Sequence, residues 1–238
     1  MRRIQNLMEQ WLFIGPDNRQ EQVNLPHTWN AKDGQDGGND YYRGTCHYEK
    51  TFEKPEFDPE TEEVYLEFLG VNASSDVTVN GKELAHHDGG YSTFRINITE
   101  VLEDRNKLEV TVDNSANGKV YPQKADFTFY GGIYRDVRFL IVSKEHFDLD
   151  YLGSNGIKIT PEVKENEANV HIETFTNTEE AQVNVQIKDQ DGKVVAEGNG
   201  CDVNLNIQNP IRWHGRKNPY LYTAAATLTV NGEVKDEI

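Results

Sequence analysis

Apolar and polar residues alternate along most of this chain in short runs. The alternation is clearest in EVYLEFLG (63–70), NKLEVTVDN (106–114), ANVHIETF (168–175) and CDVNLNIQ (201–208). A period of two places successive side chains on opposite faces of an extended strand, so each run predicts a β-strand with one buried face. No segment keeps a helical period, and TEVLEDRNK (99–107) predicts at most one short helical turn.

Asn, Asp and Gly separate these runs at the spacing of tight turns. VNGKEL places Asn80 and Gly81 between two strands, and DQDGKV places Asp191 and Gly192 in the same position. Both dipeptides are typical of two-residue hairpin turns, whose central residues need a positive φ. Many short strands joined by such turns predict an all-β chain built from β-sandwiches or jelly rolls.

A change of pattern at SKEHF (143–147) divides the chain, because the apolar run before it ends and a new set of strands begins after it. We predict a larger N-terminal sandwich over residues 1–143 and a smaller C-terminal one over residues 147–238. The second half holds about seven candidate strands, which is the size of an immunoglobulin-like domain.

The composition adds a strongly acidic charge to this picture. The 238 residues hold 40 Asp and Glu against 24 Lys and Arg, for a formal net charge of −16. Such a surface repels polyanions, so we expect no nucleic-acid partner and no anionic membrane. No apolar stretch is long enough for a signal-peptide core or a membrane span. Cys46 and Cys201 lack metal-ligand spacing, so the sequence predicts reduced thiols and a cytoplasmic location.

No arrangement of residues along the chain predicts a catalytic centre or a metal site. His86 and His87 are adjacent, so on a strand they face opposite ways, and the chain has no HxH or HxxxH pattern. The G-x-S-x-G elbow and the glycine-rich phosphate loops are also absent. Carboxylates are abundant, and we interpret most of them as a solvated surface. We therefore assign no catalytic residue and no metal ligand.

Two segments carry residue types that suit a sugar. AKDGQDGGNDYYRGT (31–45) joins carboxylates and amides to two tyrosines. Aromatic rings stack on pyranose faces, and amides and carboxylates bind hydroxyl groups. An ordinary surface loop with packed tyrosines explains the same composition equally well. Within the segment, Asn39 is the candidate sugar contact, with Asp40 behind it.

The second segment is DFTFYGGIYRDV (126–137), in which Asp126 lies among aromatic residues just before a double glycine. A carboxylate beside a Gly-Gly turn can accept two sugar hydroxyl hydrogen bonds in a partly desolvated pocket. The alternative is that Asp126 caps a turn through its own backbone. Arg135 and Asp136 are predicted at the start of the next strand, where they face opposite ways and hold the turn.

The order of several motifs resembles a known family of enzymes. The series comprises VNLPHTWN (23–30), YYRGTCHYEKTF (41–52), VTVNGKELAHHDGGYSTFRINIT (77–99), NKLEVTVDNS (106–115) and DFTFYGGIYRDV (126–137). It is similar to the N-terminal sugar-binding domain of glycoside hydrolase family 2, which includes β-galactosidases, β-glucuronidases and β-mannosidases. IRWHGRKNPYLYTAAATL (211–228) resembles the end of the immunoglobulin-like domain that follows it there.

This resemblance implies an N-terminal jelly roll of the galactose-binding type followed by an immunoglobulin-like β-sandwich. It implies that Asp126 reaches into the active site of an adjoining barrel and contacts the non-reducing sugar. In the galactosidases this aspartate also holds a sodium ion, so a sodium or magnesium ion is implied for a full-length parent. No cofactor is expected in this chain itself.

The family's two catalytic glutamates lie in a (β/α)8 barrel, and such a barrel needs about 250 further residues. The resemblance therefore implies a non-catalytic N-terminal portion of a retaining β-glycosidase, most nearly a β-galactosidase, whose partners are a carbohydrate and the missing barrel. Two other hypotheses remain open. One is a stand-alone carbohydrate-binding module, and the other is a structural or homo-oligomer-forming segment.

Overall fold

A computed structural model describes residues 2–31, 41–123 and 128–238 of the chain. Within these ranges the regular elements are seventeen β-strands and three short 3-10 turns, with no α-helix. The predicted all-β fold class is confirmed. The chain divides into two compact units, Arg3–Ile141 and a second that joins Arg2 to Val142–Ile238.

The N-terminal unit contains ten strands, which are β1 (Arg3–Asn6), β2 (Trp11–Ile14), β3 (Gln20–Val23), β4 (Thr45–Glu53), β5 (Glu62–Phe68), β6 (Ser74–Val79), β7 (Lys82–Asp88), β8 (Phe94–Asn97), β9 (Arg105–Asp113) and β10 (Val137–Ser143). They form a four-stranded sheet in the order β1-β10-β5-β8 and a six-stranded sheet in the order β3-β2-β4-β9-β6-β7. The long central pair β4 and β9 is antiparallel, with Tyr48 opposite Val110.

The buried side chains of this unit follow the period of two seen in the sequence. Along β9, every second residue from Asn106 to Val112 is buried. Both sheets contribute to one hydrophobic core, with Trp11, Tyr48 and Leu108 from the larger sheet and Leu66 and Phe139 from the smaller one. This is the arrangement of a β-sandwich, in which the inner faces of two sheets pack together.

The C-terminal unit contains seven strands, which are β11 (Ile157–Val163), β12 (Glu167–Thr174), β13 (Gln182–Lys188), β14 (Val194–Asn199), β15 (Asp202–Gln208), β16 (Thr223–Val230) and β17 (Glu233–Glu237). They form the sheets β11-β12-β15 and β14-β13-β16-β17. Its core includes Phe147, Ile172, Val185 and Leu228, all at most 1% exposed. Seven antiparallel strands in two sheets correspond to an immunoglobulin-like sandwich.

The turn predictions had different outcomes. Asn80 and Gly81 have φ values of 52° and 77° and connect β6 to β7 with Val79 opposite Lys82, as predicted. The prediction for Asp191 and Gly192 was wrong, since only Gly192 has a positive φ, 78°. There Asp189 N bonds Lys193 O at 3.0 Å, so residues 190–192 form a three-residue loop with glycine in the left-handed position.

Candidate functional site

The three sequence-predicted sugar contacts, Asn39, Asp40 and Asp126, lie outside the described residues. The structure does describe the residues on either side of them, up to Ala31 and from Tyr41 for the first segment, and up to Gln123 and from Thr128 for the second. These flanking residues decide whether the two predicted segments belong to one site.

Two fully buried asparagines, Asn30 and Asn114, connect the flanks. Asn114 Nδ2 donates to Asn30 Oδ1 at 3.2 Å and to Phe129 O at 2.9 Å, and its Oδ1 accepts from Gly44 N at 2.9 Å. Asn30 Oδ1 also accepts from Gly131 N at 2.8 Å. Buried amides of this kind are costly to leave unpaired, so the network fixes the backbone on which the segments begin and end.

Residues at the described ends of the two segments also contact each other directly. Phe129 N donates to the Tyr41 hydroxyl at 3.2 Å. Arg43 donates from its guanidinium to Gln123 Oε1 and to Asn114 O, and it lies over the Phe129 ring at 5.2 Å from the centroid. We call these residues the loop-flanking cluster, which comprises Asn30, Tyr41, Tyr42, Arg43, Asn114, Gln123, Phe129 and Gly131. The cluster brings the flanks of both predicted segments together at one end of the N-terminal unit.

The double glycine, of which Gly131 belongs to this cluster, permits close packing within the protein. A Cβ on Gly131 would lie 2.0 Å from the Trp29 ring, and one on Gly132 would lie 2.5 Å from His27 O. Gly132 also has a φ of 133°, which L side chains rarely adopt. The sequence interpretation gave these glycines a role in approaching a ligand, whereas the structure shows them approaching Trp29 and His27.

A cavity of about 630 Å3 lies beside the first segment, and its lining includes His27, Trp29, Ala31 and Tyr42. Trp29 stacks on Phe13 at 6.1 Å between ring centroids, and His27 Nδ1 lies 2.7 Å from the Tyr48 hydroxyl. Burial lowers the pKa of His27, an effect that nearby Glu21 partly opposes. At neutral pH this wall therefore offers aromatic faces and a neutral imidazole.

Three tyrosines form a second aromatic surface that the sequence analysis missed. We call Tyr91, Tyr121 and Tyr134 the tyrosine group; Tyr91 is 61% exposed, and its ring centroid lies 5.1 Å from that of Tyr121 and 6.5 Å from that of Tyr134. The Tyr121 hydroxyl donates to Asn72 Oδ1 at 3.1 Å, and that of Tyr134 donates to Gly90 O. Burial raises the pKa of both phenols, so they stay protonated donors. These tyrosines are spread over residues 91–134, so the sequence did not predict that they contact each other.

Arg135 and Asp136 precede the strand rather than starting it, because β10 begins at Val137. The expectation that strand alternation separates them was therefore wrong. Arg135 Nη1 donates to Leu69 O at 3.3 Å and to Tyr91 O at 3.2 Å, and Asp136 O accepts from Leu69 N at 3.0 Å. These backbone contacts hold the turn together.

Histidines and cysteines form no metal site in the part of the chain that the structure describes, where no group of three or more His, Cys, Asp or Glu is placed to hold an ion. His86 instead pairs with Asp76 at 2.6 Å and with Asp88 at 3.2 Å. Cys46 and Cys201 are both free. Burial, with Asp113 nearby, raises the pKa of Cys46 to about 12, so its thiol is unreactive at neutral pH. No helix among the described residues is long and apolar enough to cross a membrane.

Two family models match the chain, one after the other. Residues 38–148 match the glycosyl hydrolase 2 galactose-binding domain-like model, and residues 154–238 match the glycosyl hydrolases family 2 model. Among curated proteins, a β-glucuronidase of Bacteroides fragilis is 33% identical over 91% of this chain and 33% of its own length. A β-galactosidase of Thermoanaerobacter pseudethanolicus is 28% identical over 99% of this chain and 34% of its own length.

Solved structures have the same fold over the full chain. An FMN-binding β-glucuronidase from Faecalibacterium prausnitzii L2-6 superposes with a TM-score of 0.92 at 39% identity, covering 100% of this chain and 38% of the other. A putative β-galactosidase from Bacteroides fragilis superposes with a TM-score of 0.90 at 31% identity, covering 100% and 40%. The chain thus spans about a third of the length of the curated relatives named above. It belongs to glycosyl hydrolase family 2, with the family's galactose-binding-like domain followed by its immunoglobulin-like domain.

Proposed function

We propose that this chain is the N-terminal, non-catalytic portion of a retaining β-glycosidase, and that its first domain forms one wall of the substrate pocket. The observation that carries the proposal is the loop-flanking cluster. Its buried Asn30–Asn114 pair holds together the flanks of the two segments that contain Asn39, Asp40 and Asp126. A rigid base under loops that bear polar groups is how a β-sandwich presents contacts to a ligand.

The substrate class that we propose is a β-linked glycoside. The relatives named above include both β-glucuronidases and β-galactosidases. Because both names occur among them, we propose the wider class of β-glycosides, and the β-galactoside expected from the sequence stays a prediction within it. A test of the parent should therefore use aryl β-glucuronides and aryl β-galactosides side by side.

In a retaining glycosidase, one carboxylate attacks the anomeric carbon and a second acts as acid and then as base, about 5 to 5.5 Å away. We assign neither role to a residue of this chain. Its proposed part is to orient the sugar, with Asp126 accepting hydroxyl hydrogen bonds and Asn39 and Asp40 lying on the same wall. Such contacts raise the rate only as far as they hold the sugar ring in its reactive position.

The first test measures hydrolysis by the purified 238-residue chain. Since transition-state stabilisation needs both carboxylates, we expect no turnover of aryl β-glycosides above background. Sequencing the gene beyond the codon for Ile238 completes this test, because the proposal requires an open frame that encodes a barrel. Turnover that persists through purification from host enzymes would contradict the non-catalytic assignment.

The second test is Asp126→Ala in the longer parent. Loss of a charged hydrogen-bond partner predicts a cost of about 2 to 4 kcal/mol of transition-state stabilisation, with the melting temperature unchanged. Asp191→Ala is the control, because Asp191 is an exposed aspartate in a turn of the other domain. An unchanged kcat/KM in Asp126→Ala, or a loss explained by unfolding, removes Asp126 from the site.

The tyrosine group favours a second candidate function, a stand-alone carbohydrate-binding module. Exposed Tyr91 next to Tyr121 offers a ring face of the kind on which sugars stack. Calorimetric titration of the 238-residue chain with mono- and oligosaccharides distinguishes the two functions. Binding that Tyr91→Ala abolishes supports the module, whereas feeble binding that Tyr91→Ala does not change supports the pocket wall.

A further inference from the structure

The loop between β15 and β16 displays large apolar side chains to solvent. It spans residues 209–222, and within it Ile211, Trp213 and Leu221 are 47%, 63% and 65% exposed. Single exposed apolar residues are common on protein surfaces, but three on one loop, one of them a tryptophan, are typical of an interaction site. We call residues 209–222 the Trp213 loop.

Contacts within the domain hold this loop in place. Arg212 donates to the carbonyls of Lys164 and Glu165 in the turn between β11 and β12. Ile211 N donates to the Tyr222 hydroxyl at 3.0 Å, and His214 N donates to Asn218 O at 2.7 Å. Because these bonds fix the backbone, a partner could bind the apolar side chains without first ordering the loop.

The charge of the Trp213 loop is opposite to that of the chain. It contains Arg212, Arg216 and Lys217 and no Asp or Glu, in a chain of net charge −16. Arg216 and Lys217 are exposed on its short 3-10 turn. A complementary partner surface is therefore apolar at its centre and bordered by carboxylates.

The position of Ile238 shows that a segment following it in a longer protein would run towards this loop. Ile238 N donates to Ala226 O at 3.0 Å, and Ala226 N donates to Ile238 O at 2.8 Å. Ile238 therefore extends the antiparallel pairing of β17 with β16. Residues that follow in the same register would run beside the start of β16, and about four of them would reach the level of Tyr222. A domain that follows Ile238 would thus begin at the end of the sandwich where the Trp213 loop meets β16.

We propose that the Trp213 loop is the surface on which the immunoglobulin-like domain docks the domain that follows it, with Trp213 and Leu221 as the buried apolar contacts and Arg216 and Lys217 at the rim. This inference rests on the proposed function, which makes the chain part of a longer glycosidase. A second copy of the chain is the less favourable occupant, because two chains of net charge −16 repel each other.

The test compares two pairs of substitutions, each made in the 238-residue chain and in the longer parent. Trp213→Ser with Leu221→Ser removes the proposed contacts. Ile159→Ser with Val163→Ser is the matched control, since these two apolar residues are 46% and 52% exposed on β11 of the same domain. In the 238-residue chain we expect both pairs to leave the Tm nearly unchanged, because neither pair is buried.

In the parent, we expect Trp213→Ser with Leu221→Ser to lower the Tm by on the order of 5 °C or more, while the control pair does not. Acrylamide quenching gives a second readout. Trp213 should be the most accessible tryptophan in the 238-residue chain, where Trp11 is fully buried, and it should be protected in the parent. Equal tolerance of both pairs in the parent would overturn the proposal.

Sedimentation of the 238-residue chain tests whether the Trp213 loop instead binds a second copy of the chain. A dimer that Trp213→Ser with Leu221→Ser converts to a monomer would assign the loop to a second copy and overturn the proposal. The failure of the proposed function looks different, because it would appear as a gene without a barrel after Ile238. A parent that has a barrel but leaves Trp213 open to quenching would disprove only the docking.

Discussion

The carboxamide of Asn114 contributes three hydrogen bonds to the loop-flanking cluster, two as donor and one as acceptor. All of them lie in a region where Asn114 and Asn30 are fully buried. Removing the Asn114 carboxamide from this network takes a hydrogen-bond partner from each of these buried groups in a low-dielectric environment. The residue is therefore expected to matter more for stability than its small size suggests.

We expect Asn114→Ala to lower the free energy of unfolding of the N-terminal domain by about 2 to 4 kcal/mol, because Gly44 N and Phe129 O each lose a buried hydrogen bond. Urea unfolding of the 238-residue chain measures this change. Asn206→Ala is the control, since Asn206 donates to Asn169 in an exposed Asn–Asn pair at 3.1 Å. Similar losses for both variants would show that the buried network has no special role.

The lowered pKa of His27 predicts how stability responds to acid. Its folded pKa lies below the ordinary 6.5 because burial disfavours the charged imidazolium. The unfolded chain therefore binds a proton first, so stability that is present above pH 6.5 is lost as the pH falls below that value. His27→Gln should flatten the fall in unfolding free energy between pH 7.5 and 5.5.

His214→Gln serves as the comparison for His27→Gln, because His214 is exposed on the C-terminal domain. If His27→Gln keeps the original slope, the acid sensitivity arises from other groups.

The β6–β7 hairpin shows how local residues and distant contacts act together on one turn. Asn80 and Gly81 supply the two positive φ values. Asn80 Nδ2 also donates to Val101 O and to Asn106 Oδ1, both at 2.9 Å, which ties the turn to the neighbouring strand β9. The dipeptide was predictable from sequence, whereas its contacts with residues more than twenty positions away were not.

Substituting Gly81 tests the backbone requirement alone. A Cβ on Gly81 meets no atom within 4 Å, so Gly81→Ala introduces only the strain of a φ of 77°. We expect a cost of about 1 kcal/mol, measured by thermal or urea unfolding. Gly118→Ala is the matched control, because Gly118 has equally open surroundings without a positive φ, and it should be nearly neutral. A neutral Gly81→Ala would contradict the assigned turn.

An ion pair connects residues that are far apart along the chain. Arg2 Nε bonds Asp236 Oδ1 at 2.9 Å, and Asp236 is 1% exposed. Asp236 Oδ2 also accepts from Phe147 N at 2.9 Å. The pair thus joins the start of the chain to the last strand of the C-terminal unit, to which Arg2 belongs.

We expect Arg2→Met to destabilise the C-terminal domain by about 3 to 5 kcal/mol, because it leaves a buried carboxylate without its cation. The double variant Arg2→Met with Asp236→Leu should recover part of this loss. Lys235→Met is the control, since Lys235 pairs with Glu233 on the surface at 3.0 Å, and exposed pairs contribute about 0 to 1 kcal/mol. Calorimetry that resolves the two domains measures whether Arg2→Met destabilises the C-terminal domain more than Lys235→Met does. Equal losses of stability would refute the prediction.

The sequence by itself determined the fold class, because a period of two depends only on which neighbouring residues are apolar. It also predicted the turn at Asn80–Gly81, since Asn and Gly tolerate the positive φ that such a turn needs. The sequence did not predict that Glu67 would be only 1% exposed. Glu67 is buried together with its ion-pair partner Arg95, 2.7 Å away and 28 positions later in the chain.

Only the tertiary structure decided which residues form the loop-flanking cluster and the tyrosine group. Asn30 and Asn114 are 84 positions apart, and nothing in the local pattern of either distinguishes a buried amide from an exposed one. The same holds for Gly131, whose lack of a side chain matters because Trp29, far earlier in the chain, packs against it. Contacts of this kind depend on how strands are ordered in the sheets, and that order comes from packing the whole core rather than from any single segment.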